Sequence, residues 1–129
     1  MLRVELGDWA ALQRWAAPIR TTVFVDEQKV PVEMEIDDWD PQCLHAVAFD
    51  GEGNAQGTGR LLPDGHIGRM AVLKSVRGAG VGSALLTALM GAARARGQRE
   101  AVLSAQTHAV PFYERHGYAV CGAEYLDAG

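Results

Sequence analysis

The sequence predicts an α/β protein built on one mixed sheet, in the order β-α-α-β-β-β-α-β-α-β, within a single domain spanning residues 1–129. Three observations carry this. Between residues 44 and 72, three apolar segments are separated by DGEGNAQG and PDGH. Both separators have turn chemistry, and strands joined by tight turns pair antiparallel. From residue 66 to 105 a strand, a glycine-rich turn, a long helix and a second strand follow one another. That succession requires a right-handed parallel crossover. Residues 8–24 carry apolar side chains at helical spacing, between the first strand and the meander. Antiparallel strands early and a parallel pair later make the sheet mixed.

LRVEL at residues 2–6 alternates apolar and polar and forms a short strand. Asp8 is the N-cap of a helix carrying Trp9, Leu12, Trp15 and Ala16. Pro18 starts a second helix, with Ile19, Val23 and Phe24 on one face, that fades near Gln28 before Pro31. Residues 31–42 (PVEMEIDDWDPQ) are acidic and flanked by proline, which makes a loop. LHAVAF at 44–49 is a continuous apolar strand, GTGRLL at 57–62 follows the first turn, and HIGRMAV at 66–72 follows the second. A helix covers 81–96, with Val81, Leu85, Leu89 and Ala92 on its apolar face and Ser83, Thr87, Gly91 and Arg94 opposite. Gly97 stops it. AVLSA at 101–105 is a buried strand, HAVPFYERH at 108–116 a short helix, and YAVCGAEYL at 118–126 a last strand.

A chain of 129 residues, 48% hydrophobic and 22% charged, is ordinary for a globular domain. A net charge of −4 argues against a nucleic-acid partner, which needs a basic stripe. Cys43 and Cys121 have no metal-type spacing and fit a reducing compartment better than a disulfide scaffold. No apolar run reaches the roughly 18 residues that span a membrane, and MLRVELGDWA lacks a signal-peptide pattern. The expectation is a cytoplasmic protein with no membrane partner and no bound metal.

The stretch RGAGVGSALL, residues 77–86, places glycines at 78, 80 and 82 directly before the long helix. The first amides of a helix lack intrahelical partners, and the helix dipole adds partial positive charge there. An anion can bind them, and glycine lets the backbone come close to it. Arg77 adds a cationic fork suited to phosphate. A Walker A loop needs Gly-Lys-Ser/Thr, but Ser83 follows Gly82 without a lysine. A dinucleotide fingerprint needs a third glycine where Ser83 or Leu85 stands. A plain strand-to-helix turn remains open, although one glycine usually suffices for it.

The run from Arg77 to Gly82 resembles the Arg/Gln-x-x-Gly-x-Gly/Ala signature of the GNAT superfamily of acetyl-CoA-dependent N-acetyltransferases. MAVLKSV before it and THAVPFYERHGYAV after it are similar to the segments flanking that signature in the family. RTTVFVDEQKVP resembles a helix of one poorly characterised, bacterial-type branch. The resemblance covers essentially the whole chain. It implies the GNAT fold, with the sheet splayed between the strands at 66–72 and 101–105. It implies that Arg77, Gly78, Ala79, Gly80, Val81, Gly82 and Ser83 hold the pyrophosphate of coenzyme A. It further implies that Met70, Ala71 and Val72 pair their backbone with the pantetheine arm. Tyr113 takes the place of the family's general acid and also touches the cofactor. Gln106 stands where many relatives have asparagine; it keeps the amide with a different reach. Relatives commonly finish with a further strand beyond EYLDAG, so either this sequence is short of that strand or a partner supplies the edge.

The implied reaction moves an acetyl group from acetyl-CoA to an amine of a small molecule or peptide by direct attack on the thioester. An alkylamine, with a pKa near 10.4, must first lose a proton. Seven of the 16 acids lie at Asp26, Glu27, Glu33, Glu35, Asp37, Asp38 and Asp40, opposed by Lys29. Such a segment attracts a cationic amine or is simply a solvated loop. Glu27 and Glu33 are the candidate bases, because the same branch shows acids there. His45, inside an apolar strand, reads as a satisfied core histidine; His66 and His116 read as structural, and His108 lies near Tyr113. Trp9, Trp15 and Trp39 read as core or lid. A non-catalytic CoA-binding or nucleotide-binding regulatory module is the competing function. Homodimers, common in the family, are an expectation for assembly.

Overall fold

The computed structural model describes residues 2–27, 29 and 38–97, together with the backbone of strands at 102–104, 118–121 and 124–127. Strand β1 (Arg3–Gly7) leads into helix α1 (Trp9–Arg20) and a wide-turned π-helical segment (Thr21–Glu27). A short turn of 3-10 helix (Asp40–Gln42) precedes β2 (Leu44–Phe49), β3 (Ala55–Leu61) and β4 (His66–Val72). Another such turn (Lys74–Val76) leads to α2 (Val81–Ala95), then β5 (Val102–Ser104), β6 (Tyr118–Cys121) and β7 (Glu124–Asp127).

The seven strands form one sheet in the order β1-β2-β3-β4-β5-β7-β6. Only β4 and β5 pair in parallel; the other neighbours are antiparallel. This is the mixed α/β arrangement the sequence predicts. Strand β2 shows why a continuous apolar run was needed. Its Val47 and Phe49 pack under Leu12 and Ala16 of α1, whereas Ala46 and Ala48 pack under α2. Helices therefore cover both faces of the sheet, and a strand covered on both faces has no polar side. The α2 contribution is a wide stripe of Val81, Leu85, Leu86, Leu89, Met90 and Ala93. Among the described residues no helix is long and apolar enough to cross a membrane.

Two elements differ from the sequence reading. Pro18 does not begin a second helix; it lies inside α1. Proline inside a helix forfeits a hydrogen bond and crowds the preceding turn. Here the buried stripe of Leu12, Ala16, Ile19 and Val23 runs on through it, so packing overrides the local cost. At the end of α1 the amide of Thr21 is shared between the carbonyls of Ala17 and Pro18, and the helical path then continues into the wider turns of the π-helical segment. The second difference is at the C-terminus. YAVCGAEYL is two antiparallel strands, with Cys121 opposite Glu124, rather than one. β7 inserts between β5 and β6, so the chain itself supplies the additional strand. The expected short helix at 108–116 lies outside the described residues.

Candidate active site

The site begins at the C-terminal end of β4. Against β3, β4 pairs along its length, but the register slips between Thr58 and Arg60. Across from the slip, Arg69 adopts a left-handed backbone with φ 49°. Bulges of this kind bend a strand and cluster beside functional sites. Against β5, the pairs among the described residues are His66 with Val102 and Ile67 with Leu103. Met70, Ala71 and Val72 lie past the last of these pairs. The side chains of Met70 and Val72 turn into the α2 core and that of Ala71 packs with Ile19 and Val23, so it is their backbone that remains for a ligand.

The chain then crosses the sheet edge. Leu73 donates its amide to Gln56 at 3.0 Å, and a single turn of 3-10 helix follows. Gly78 and Gly80 adopt φ 84° and 87°, a region that other residues rarely enter. A Cβ built on either would meet nothing within 4 Å, so open space lies in front of both. Gly80, which has no side chain to cap with, is the N-cap of α2. The bond from the Ala84 amide to the Gly80 carbonyl, 3.0 Å, is the first full helical turn. The amides of Val81, Gly82 and Ser83 come before it, at the positive end of the helix dipole.

The position of that helix end is set from below. Val81 is 2% exposed. A Cβ on Gly57 would lie 2.9 Å from Val81 Cγ1 and 3.0 Å from the Ala71 carbonyl oxygen. A Cβ on Gly59 would lie 2.5 Å from Met70 Sδ and 2.9 Å from Leu89 Cδ1. Both glycines of GTGRLL thus let α2 sit directly on β3. Glycines two apart inside a strand are the available sequence signal for such close approach.

Arg77 is held on three sides. Its Nη1 and Nη2 donate to Glu27 Oε2 and Oε1 at 2.6 and 2.7 Å, and its Nε donates to the Val72 carbonyl at 3.0 Å. The hydrogen bonds from Arg77 hold the Glu27 carboxyl below the usual glutamate range. The same bonds raise the Arg77 pKa. The candidate base and the candidate phosphate fork are therefore partners of each other.

A second carboxylate–arginine group lies at the other end of the acidic loop. Asp40 is completely buried. It accepts from Arg20 Nη1 and Nη2 at 2.7 and 3.1 Å and from Arg60 Nη1 at 2.9 Å. Arg20 also stands over the Trp9 ring, 5.3 Å from its centroid. Asp40 is thus not part of a solvated acidic face. Sequence reading missed this group because its members lie on α1, the loop and β3, with no common spacing. His45 is the satisfied core histidine expected. Its Nε2 donates to the Asp40 carbonyl at 2.9 Å, which fixes the neutral tautomer, and burial pushes its pKa down. Trp9 packs on the His45 ring and Trp15 meets Phe49 edge-on, whereas Trp39 is 49% exposed. Glu33, Gln106, His108, Tyr113 and His116 lie outside the described residues.

Comparison with known proteins bears on the family and the fold. Residues 19–129 match the acetyltransferase (GNAT) domain family. The chain is 48% identical over 115 residues to the uncharacterized N-acetyltransferase YjcF of Bacillus subtilis, covering 86% of this chain and 81% of that protein. It superimposes with a TM-score of 0.85 on the crystal structure of an acyl-CoA N-acyltransferase from Pseudomonas aeruginosa, at 27% identity, covering 99% of this chain and 100% of that one. Escherichia coli ElaA shares the fold, with a TM-score of 0.79 at 23% identity over 98% of this chain and 97% of that one. The chain belongs to the GNAT family of acetyltransferases.

Proposed function

We propose that the protein is an N-acyltransferase using acetyl-CoA as donor and an amine of a small molecule or peptide as acceptor. One observation carries this reading: two left-handed glycines lead into a helix with a glycine N-cap just after β4, past its described pairs with β5. The residues present suit the donor. The amides of Val81, Gly82 and Ser83 precede the first full helical turn, next to the open space in front of Gly78 and Gly80, and match a pyrophosphate, and the β4 backbone past Ile67 matches an extended pantetheine amide chain. When bound there, acetyl-CoA supplies the acyl group and a thiol leaving group of moderate pKa.

The chain's own groups do the remaining work. The turn at 78–83 binds and orients the donor. Tyr113 provides a proton to the departing sulfur, and Gln106 offers an amide to the donor's arm. Glu27, already paired and below its usual pKa, is a weak proton acceptor, so removal of the amine proton falls to Glu33. The acid-rich segment around it draws in a cationic amine.

Acetyl-CoA at 100 times its Kd is expected to stabilise the protein by about 2.7 kcal/mol, read as a rise in Tm, while ATP at the same concentration is not. Amine-dependent thiol release should fall roughly 10²–10⁴-fold in Tyr113→Phe. Stabilisation without turnover on a broad amine panel would replace the enzyme by a CoA-binding module. A Tm that neither CoA nor acetyl-CoA moves would end the reading.

A further inference from the structure

The Glu27–Arg77 pair joins residues 50 apart in sequence, and Arg77 immediately precedes the turn at 78–83. Arg77 has five N–H hydrogens. Nε is spent on the Val72 carbonyl, and one hydrogen from each terminal nitrogen on Glu27. The two that remain, one on each terminal nitrogen, have no partner among the described residues. The guanidinium is thus fixed against the end of β4 and the end of the π-helical segment at once, one residue before Gly78. Its charge is balanced by Glu27, so what it still offers is oriented N–H donors.

We propose that Glu27 is a positioning residue for donor binding: by holding Arg77 across the end of β4, it sets the shape of the turn that takes the CoA pyrophosphate. This rests on the reading of that turn as the donor site. An arginine held in one rotamer loses little further freedom when a phosphate arrives, whereas a free one must be ordered by the ligand itself. Glu27 also ties the start of the acidic segment to the donor loop, so the two substrate sides share one joint.

The test is CoA binding by calorimetry with a donor-side kinetic split, on the full chain and on Glu27→Gln, Glu27→Asp, Arg77→Gln and the double Glu27→Gln/Arg77→Gln. Glu27→Gln is expected to raise Kd for CoA and KM for acetyl-CoA by about 5–20-fold, with kcat at saturating donor within about twofold. Glu27→Asp should recover part of the affinity. In the Arg77→Gln background the Glu27 substitution should add nothing, because its route runs through Arg77. Unchanged or tighter CoA binding by Glu27→Gln overturns the inference. So does a fall in kcat with donor KM unchanged, which would place Glu27 against the acceptor. Failure of the unsubstituted chain to bind CoA removes the donor-site reading, and this inference with it.

Discussion

Two arginine–carboxylate groups bracket the acidic loop, and they differ in one respect. At its start, Glu27 takes both terminal nitrogens of Arg77, with side chains 34% and 40% exposed. At its end, Asp40 takes both terminal nitrogens of Arg20 and one of Arg60, with side chains at most 8% exposed. The hydrogen-bond geometry is nearly the same. Water decides what each can do. An exposed pair competes with hydration and salt, contributes little to folding and can exchange partners. A buried group cannot release a member without leaving an uncompensated charge. Bidentate geometry alone therefore does not say whether an ion pair is part of the frame or part of a working site.

The comparison breaks most sharply at Asp40. Asp40→Asn keeps the shape and removes the charge facing two buried guanidinium groups. The expected loss is about 3–5 kcal/mol in chemical denaturation. A loss near that of an exposed pair would mean that burial is not what separates the two groups. Replacing Arg20, Asp40 and Arg60 together by apolar residues of similar volume should recover much of the loss, because no charge of the group is then left without its partner.

Gly57 tests whether the donor turn depends on the core beneath it as well as on Arg77. In Gly57→Val the added carbons meet Val81 and the carbonyl of Ala71, and backbone cannot swing aside. Overpacking of this kind costs about 1–3 kcal/mol. CoA affinity should fall with it, because Val81 is the first residue of α2. At Gly59 the nearest atom is the flexible thioether of Met70, so Gly59→Ala should be milder.

These contacts also mark how far sequence reasoning reached. The meander, the crossover and the glycine turn are signalled by short-range features: turn chemistry, helical spacing, and glycines at 78 and 80 that do adopt positive φ. The proline at 18 misled because the buried stripe from Leu12 to Val23 outweighs its local preference. The split of YAVCGAEYL was hidden because both β6 and β7 lie inside a uniformly strand-like run. The pairs Glu27–Arg77 and Asp40–Arg20–Arg60 join residues 20 to 50 positions apart, and no local pattern encodes such partners.

Acidity separates the two ends of the loop by window. His45, beside the buried group, has its pKa lowered, chiefly by burial. The unfolded chain therefore takes up a proton near pH 6.5 that the folded chain refuses. Stability should be level above that pH and decline as the pH falls from about 6.5 toward the lowered folded value. His45→Gln, which keeps an N–H donor, should flatten that decline in a pH series of denaturation midpoints.

The smallest effect is expected at the exposed end. The Glu27 pKa is lowered by its hydrogen bonds from Arg77, so whatever the pair contributes is present above the unfolded carboxylate value of about 4.3 and is lost as the pH falls through the lowered folded one. At neutral pH, Glu27→Gln should leave Tm within the scatter of repeat measurements, since an exposed pair in moderate salt adds little. A clear loss of Tm at neutral pH would make Glu27 part of the frame, as Asp40 is, and a fall in CoA affinity in the same variant would then be a consequence of unfolding. Unchanged Tm with weakened CoA binding would assign the two arginine groups to different work: one holds the acidic loop to the sheet, and the other holds the donor turn in shape.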